Sequence, residues 1–462
     1  NPGMITEPGS IETITQNLRT DRVDSGVDPD SIRTYYTYDD QHGFRGAVEM
    51  CNGAGVCRKT AVGTMCPSYR GTLDERHATR GRGNALRLAI SGQFAKGSAG
   101  PGWSDPDTLQ TLDLCLSCKA CKSECPSNVD IARLKAEYLA QSYKASGRTP
   151  LRARVFGHVR TLNRLGSMMP GVSNFAGSLE FVRSIMNRLL KLAPQRSLPK
   201  FEKSLYSWFA SRRLAGTRPV QKVVLYADCF ATYNEPHIGR AAVAVLEALG
   251  YDVLLPRVGC CGRAMMSTGV LADACRSADR TLADLKTYID DDAVKAIVVC
   301  EPSCLASFKD DWLSLNIATP IATRRKLAAK SWLVEEFVDR FWDAHPKKPV
   351  PRKLADPVVL HGHCHQKALW GDQTSSGLLH RIAEQVTVLP SGCCGMAGSF
   401  GYDAGKYDLS MKIGELSVFG PVREATPDAV ICAPGTSCRH QIHDGTKRQA
   451  IHPIELAARV LG

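Results

Sequence analysis

An α/β architecture, with two parallel-sheet units in series behind a helical cysteine-rich unit, is what this sequence predicts, and three observations predict it. Short apolar runs alternate with helical patterns through the second half of the chain, as in a parallel sheet covered by helices. That same half repeats itself at a nearly constant interval. A length of 462 residues, at roughly 150 per domain, calls for about three domains. The chain is 44% hydrophobic and 23% charged, a composition that builds ordinary packed cores. No run approaches the ~18 apolar residues of a spanning helix, which excludes an integral membrane protein.

Residues 1–42 read as an extended polar lead-in. Residues 43–147 form the first cysteine-rich unit, closed by an amphipathic helix on which Ile131, Leu134, Tyr138 and Leu139 share a face. Residues 148–219 form a basic helical connector. Between Leu151 and Arg218, thirteen Lys or Arg face only Glu180 and Glu202, so this segment carries +11 of the formal +12. Such a block is either a solvated or internally paired surface, or a contact for nucleic acid, an anionic membrane or an acidic partner. Within it a helix is expected from Ser178 to Leu192, with Phe181, Ile185, Leu189 and Leu192 on one face. Packing of that face onto the adjacent domain is the plainer expectation, and rest on a membrane surface the other.

From Gln221 the chain is duplicated. Lys222 to Cys229 matches Pro357 to Cys364, Gly259-Cys-Cys-Gly262 matches Gly392-Cys-Cys-Gly395, and Cys300 with Cys304 matches Cys432 with Cys438, at offsets of 135, 133, 132 and 134. Each copy, 220–345 and 357–462, reads strand, helix, strand, double-cysteine turn, helix, strand, cysteine turn: a Rossmann-like parallel sheet. Residues 346–356, rich in proline and lysine, link them. The cysteines follow the C-terminal ends of strands, the edge where open parallel sheets place their ligands.

Eighteen cysteines in so long a chain are not a disulfide framework, and all but Cys275 fall in clusters or repeats. Cys115-x2-Cys118-x2-Cys121-x3-Cys125-Pro126 has the bacterial-ferredoxin spacing for a cubane iron–sulfur cluster, and marks the first unit as a ferredoxin-like dicluster domain. Upstream, Cys51-x5-Cys57-x8-Cys66-Pro67 resembles a second such motif with Ala54 where a cysteine is expected. The expected grouping is Cys51, Cys57 and Cys125 on one cluster and Cys66, Cys115, Cys118 and Cys121 on the other. Seven cysteines leave one of eight positions open, to a three-iron form, to water, to His42 or His77, or to a distant thiolate; the alternative is a single cluster. In the copies, Cys229, Cys260, Cys261, Cys300 and Cys304, and Cys364, Cys393, Cys394, Cys432 and Cys438, are expected to converge as five sulfurs each. A further iron–sulfur cluster, zinc, or purely structural cysteines remain open there. His361, His363 and His365, alternating on a strand, would project from one side as ligands, proton carriers or packing groups.

Cys51-Asn-Gly-Ala-Gly-Val-Cys-Arg-Lys59, Met65-Cys-Pro-Ser-Tyr69, Asp74 to Arg82 and the Cys115 motif together resemble the ferredoxin-like part of FAD- and iron–sulfur-containing D-2-hydroxyacid dehydrogenases, nearest the long bacterial type that oxidises D-2-hydroxyglutarate or D-lactate. His361-Gly-His-Cys-His-Gln-Lys-Ala-Leu369 and Gly392 to Gly401 resemble the same group's cysteine-rich domains, shared with glycolate oxidase and anaerobic glycerol-3-phosphate dehydrogenase iron–sulfur subunits and with heterodisulfide reductase. Asn1-Pro-Gly-Met-Ile5 is similar to the end of a flavin-oxidase domain, which implies the downstream half of a fusion or a split version of it.

The resemblance implies an oxidoreductase module that passes electrons from FAD, on a missing domain or partner, to a quinone or other acceptor. It implies a cytoplasmic protein, peripheral at most on the inner membrane face, with no nucleic-acid partner. Arg76, Arg80, Arg82 and Arg87 are either counter-charges to anionic clusters or ordinary surface groups. Two other classes stand beside this reading: a thiol–disulfide reductase with catalytic double-cysteine sites, and a zinc scaffold that binds nucleic acid through the basic block. The residues that would contact a hydroxyacid, and hence any catalytic residue, are not identified in this chain.

Overall fold

The computed structural model describes residues 32–92, 101–212, 221–348 and 350–461. Asn1 to Ile5, and most of the expected lead-in, lie outside them. Its last stretch is tied down on both sides. The Glu137 carboxylate accepts from the backbone N–H groups of Tyr35 and Tyr36, while Asn316 N–H donates to Tyr35 and Thr37 N–H to Ser314.

The first unit is helical. Pro67, at a position where its missing N–H costs nothing, opens helix Pro67–Thr72 immediately after Cys66. Asp105 caps helix Pro106–Asp113 by accepting from Thr108 N–H at 2.7 Å. Helix Ile131–Ser146 is capped by Asp130 and ends at Gly147, whose φ of 62° suits glycine. Ile131, Leu134 and Tyr138 are buried on it as expected, with Leu139 half-buried at the edge.

Two four-stranded, all-parallel sheets follow. In the first, β1 (Lys222–Tyr226), β2 (Asp252–Leu254), β3 (Val294–Val299) and β4 (Ser331–Leu333) run in the order β2-β1-β3-β4. In the second, β5 (Val358–Leu360), β6 (Val386–Val388), β7 (Val430–Cys432) and β8 (Ala450–Ile451) run β6-β5-β7-β8. The order reverses at β1 and at β5, so each sheet has its ligand-accepting crevice at that strand's C-terminal end.

Val223, Leu225, Ala296 and Val298 of the first sheet and Val358 and Leu360 of the second share one core. Helix Pro236–Ala248 packs there on Pro453–Leu461, and Val334–Arg340 on Gln373–Ile382. The outer faces differ: Val224, Tyr226, Ile297 and Val299 pack toward the helical unit, and Val359 and Ile431 against their own helices.

The connector bridges the copies. Arg152 pairs with Asp403 and Arg196 with Asp444 in the second copy, while His158 meets Asp273 and Arg160 donates to the Ala227 and Val258 carbonyls in the first. Much of the basic block thus has internal partners, whereas Arg154, Arg164, Arg188 and Lys191 are exposed. The expected helix Ser178 to Leu192 is instead Glu180–Leu190, preceded by a separate helix Pro170–Ser178 with extended Leu179 between them. The expectation that its apolar face packs on a neighbour holds only at Leu192, which is buried against the second copy. Phe181, Ile185 and Leu189 are 65%, 53% and 63% exposed, and Met186 and Leu190, one residue on, pack inward. No helix among the described residues is long and apolar enough to cross a membrane.

Candidate metal centres at the strand ends and in the dicluster loop

Backbone geometry gathers thiols in three places, and all the cysteines are free. In the helical unit, Cys66, Cys115, Cys118 and Cys121 line one small cavity of about 20 Å³ with Arg82 and Thr79. Ser117 and Lys119 hold positive φ in the loop that carries three of them. Burial pushes the Cys118 and Cys121 thiols up and Cys66 to about 11. A metal group would be needed to draw off those protons; four thiols suit zinc as well as iron, and the Cys115 to Cys125 spacing favours iron.

Buried Arg82 donates to Ser68 and to the Thr111 carbonyl, and it favours the Cys66 thiolate. Arg80 N–H points at Cys57 Sγ at 3.4 Å, whereas Arg76 pairs with Asp74 at the surface. Ala54 stands exposed in the Cys51–Cys57 loop, and His77 Nδ1 lies 2.9 Å from the Thr72 hydroxyl.

In the first copy, Cys229 Sγ lies 3.7 Å from Cys260 Sγ and Cys261 Sγ 3.1 Å from Cys304 Sγ. Gly262 N–H donates to Cys260 Sγ at 3.5 Å. The Arg160 guanidinium reaches within 4.0 Å of Cys229 Sγ, and Trp312 Nε1–H donates to the Cys261 carbonyl. These thiols are held protonated. The Cys260 hydrogen bond and burial raise Cys229. Cys304, although its Cys261 contact pulls it down, is driven by burial up to about 12.

In the second copy, Cys364, Cys393, Cys394 and Cys438 take the equivalent places, with Gly395 N–H donating to Cys393 Sγ at 3.4 Å. Gly395 has a φ of +91°, and a Cβ there would lie 2.2 Å from the Ser410 carbonyl, so no other residue fits this turn. Ligand atoms of His361, Cys394 and Cys438 lie within 4.8 Å of one another. His361 Nδ1 sits 2.6 Å from the Ser391 hydroxyl, and its Nε2 is buried with no hydrogen-bond partner. An orphaned imidazole nitrogen among thiols fits a metal group. Here the thiols are split: Cys393 and Cys438 are pushed up by their hydrogen bonds to Cys364 and Cys394 and by burial, while the Cys393 hydrogen bond lowers Cys364 to about 7 against burial. Cys393, Cys438 and then His361 hold Cys394 well below the ordinary thiol range.

The three groups adjoin. Cys118 packs against the cluster containing Cys364, Cys393, Leu116 and Phe400, and His365 Nε2 lies 2.9 Å from the Ser117 carbonyl. On the other side Lys119, fully buried, meets Asp310 at 2.5 Å and Asp311 at 2.8 Å, and Asp311 also takes Arg263 at 2.5 Å. Stranding one member of such a network costs about 3–5 kcal/mol.

Two expectations need correction. Five sulfurs do not converge in either copy. Cys300 continues the alternation of Ala296 and Val298, and Cys432 likewise faces the core shared by the sheets, on the far side from the other four. The three histidines do not alternate on a strand, because β5 ends at Leu360. His363 caps helix Cys364–Leu369 through Nδ1, and His365 lies in its first turn. Arg160, Lys119 and Tyr226, whose hydroxyl donates to the Gly259 carbonyl beside the double cysteine, were missed; only the alignment of Tyr226 with His361 carried a signal.

A 4Fe-4S dicluster domain model matches residues 47–129 and a Cysteine-rich domain model residues 223–309. The chain is 29% identical over 346 residues to one of the subunits of the anaerobic glycerol-3-phosphate dehydrogenase of Escherichia coli, covering 73% of this chain and 83% of that one. It is 24% identical over 503 residues to D-2-hydroxyglutarate dehydrogenase of the same organism, covering 100% of this chain and 47% of that one. To lactate utilization protein A of Bacillus cytotoxicus it is 28% identical over 193 residues, 39% of this chain and 74% of that one. The chain thus spans about half the length of the D-2-hydroxyglutarate dehydrogenase it matches. No solved structure matches it. The thiol groups, the two domain matches and these relatives agree: the chain is an iron–sulfur electron-transfer module of the kind found in FAD-linked dehydrogenases.

Proposed function

We propose that this chain carries electrons from FAD, housed in a flavin-oxidase domain or subunit, to a quinone or comparable acceptor during oxidation of a D-2-hydroxyacid such as D-2-hydroxyglutarate, D-lactate or glycolate. The observation that carries this reading is the contact of Cys118 with the Cys364 group, which places the dicluster loop against the second cysteine site. Iron–sulfur clusters supply one-electron steps at potentials set by burial, charge and hydrogen bonds to sulfur.

The chain's own residues provide those settings. Cys66, Cys115, Cys118 and Cys121 would hold one 4Fe-4S cluster, and Cys51, Cys57 and Cys125 three positions of a second. Leu116 and Phe400 keep water from the junction with Cys364 and Cys393, and Gly262 and Gly395 aim N–H groups at sulfur. The four thiols of each copy would hold a further iron–sulfur group. The compact His361, Cys394 and Cys438 set would also accept a single zinc ion. The exposed apolar side chains of 162–189, beside exposed Arg164 and Arg188, would rest peripherally on the inner face of a membrane.

Anaerobic purification with iron, zinc and acid-labile sulfide counted per chain tests the reading. We expect iron with matching sulfide and a paramagnetic signal on reduction, and loss of one cluster's iron and signal in Cys118→Ala. Colourless, iron-free protein, or an unaltered spectrum in that variant, would overturn it.

A further inference from the structure

Between the two copies and beneath the connector lies a cavity of about 310 Å³, within the size range of small-molecule sites. Its floor carries Cys229, Cys260, Cys261 and Cys304 from the first copy and Cys364, Cys393 and Cys394 from the second. The wall that the connector contributes is hydrocarbon apart from Asn163: Val159, Leu162, Met186, Leu190 and Phe201. A metal group on the thiols needs only the floor and leaves that wall without a partner.

The wall also selects against charge. Arg263, the guanidinium in the lining among the described residues, is committed to Asp311, and the Glu301 carboxylate accepts from Thr436 N–H at 2.9 Å. An anionic ligand would find there, among the described residues, no unpaired guanidinium, only the imidazoles of His363, His365 and His440 and, behind Cys229, Arg160, which is committed to the Ala227 and Val258 carbonyls.

The same helices are apolar on their outer side. Ile185 and Leu189 are exposed beside inward Met186 and Leu190, and Leu165, Met169 and Phe175 are 54%, 63% and 68% exposed. A soluble surface seldom leaves so continuous an apolar strip without a purpose.

We infer that this cavity binds the ring of a quinone-class acceptor, uncharged and planar, between the two cysteine sites, with its hydrocarbon tail leaving along the connector. The inference rests on the electron-carrier reading and adds to it a place and a ligand shape.

A short-chain azidoquinone, photolysed with the full anaerobic chain, tests it. Labels are expected on peptides holding Val159, Leu162, Met186 and Leu190, and they should be competed away by an unreactive short-chain quinone. Met186→Trp and Leu162→Trp, which fill the cavity, should each cut labelling about tenfold, while Phe175→Ser on the outer strip leaves it unchanged. Labelling confined to 165–181, failure of competition, or unchanged labelling in both filling variants would overturn the site. If a filling variant does not fold, the map on the unaltered chain decides. Iron counted in the same samples separates the two readings: iron present without cavity labelling removes only the quinone site, and iron absent removes the carrier role itself.

Discussion

At the end of β1 the chain places Tyr226 and Asp228, and at the equivalent positions after β5 it places His361 and His363. Asp228 caps its helix through a carboxylate oxygen and His363 through Nδ1, so the backbone task is the same. The electrical result differs at two of the four thiols. Burial drives the Asp228 carboxyl up to about 7, and the thiols around it stay protonated. In the second copy an imidazole stands beside Cys394, and Cys364 and Cys394 favour the thiolate. A duplicated backbone therefore sets where four sulfurs lie, and the hydrogen bonds among them, with His361 and His363 adding their pull in the second copy, bias their protonation.

The largest expected effect separates the sites outright. Cys394→Ser should empty the second site while the first keeps its metal, and Cys261→Ser should do the converse, read as metal per chain. Loss from both in either variant would show one shared centre. Next, in metal-free protein near pH 8, a group shifted to about 7 is mostly thiolate and one at about 12 almost entirely thiol. Mass-mapped alkylation should reach Cys364 and Cys394 before Cys304, and His361→Tyr should slow Cys394 about tenfold. Equal rates across the copies would break the comparison.

A smaller effect sharpens it from the other side. Arg160→Gln removes the guanidinium near Cys229 and should lower the reduction potential of the first site alone, on the order of tens of millivolts, in a redox titration followed by electron paramagnetic resonance. Smallest of all, Cys300→Ser, Cys432→Ser and Cys275→Ser should leave metal content unchanged, with stability losses of about 1 kcal/mol. Iron lost from any of the three would restore that cysteine as a ligand.

The copies were legible because strand, double cysteine and terminal cysteine recur together. β4 and β8 were not, since strands of three and two residues, Ser331–Leu333 and Ala450–Ile451, carry no period of their own and form only by pairing with β3 and β7. The phase of β3 already held the reason Cys300 turns away, because it continues Ala296 and Val298. The outward turn of Phe181, Ile185 and Leu189 was not readable. A helix with apolar residues on two sides shows one stripe by spacing, and only packing of Met186 and Leu190 decides which side is inside.

Lys119 sits in the dicluster loop and its carboxylate partners Asp310 and Asp311 follow β3. Pulling the two apart would strip Lys119 of its two nearest carboxylates and Asp310 of both its lysines, Lys119 and Lys122, leaving Asp311 with Arg263 alone. The ferredoxin-like portion and the first sheet should therefore denature as one cooperative block, giving a single calorimetric endotherm instead of two, with Lys119→Met splitting or broadening it.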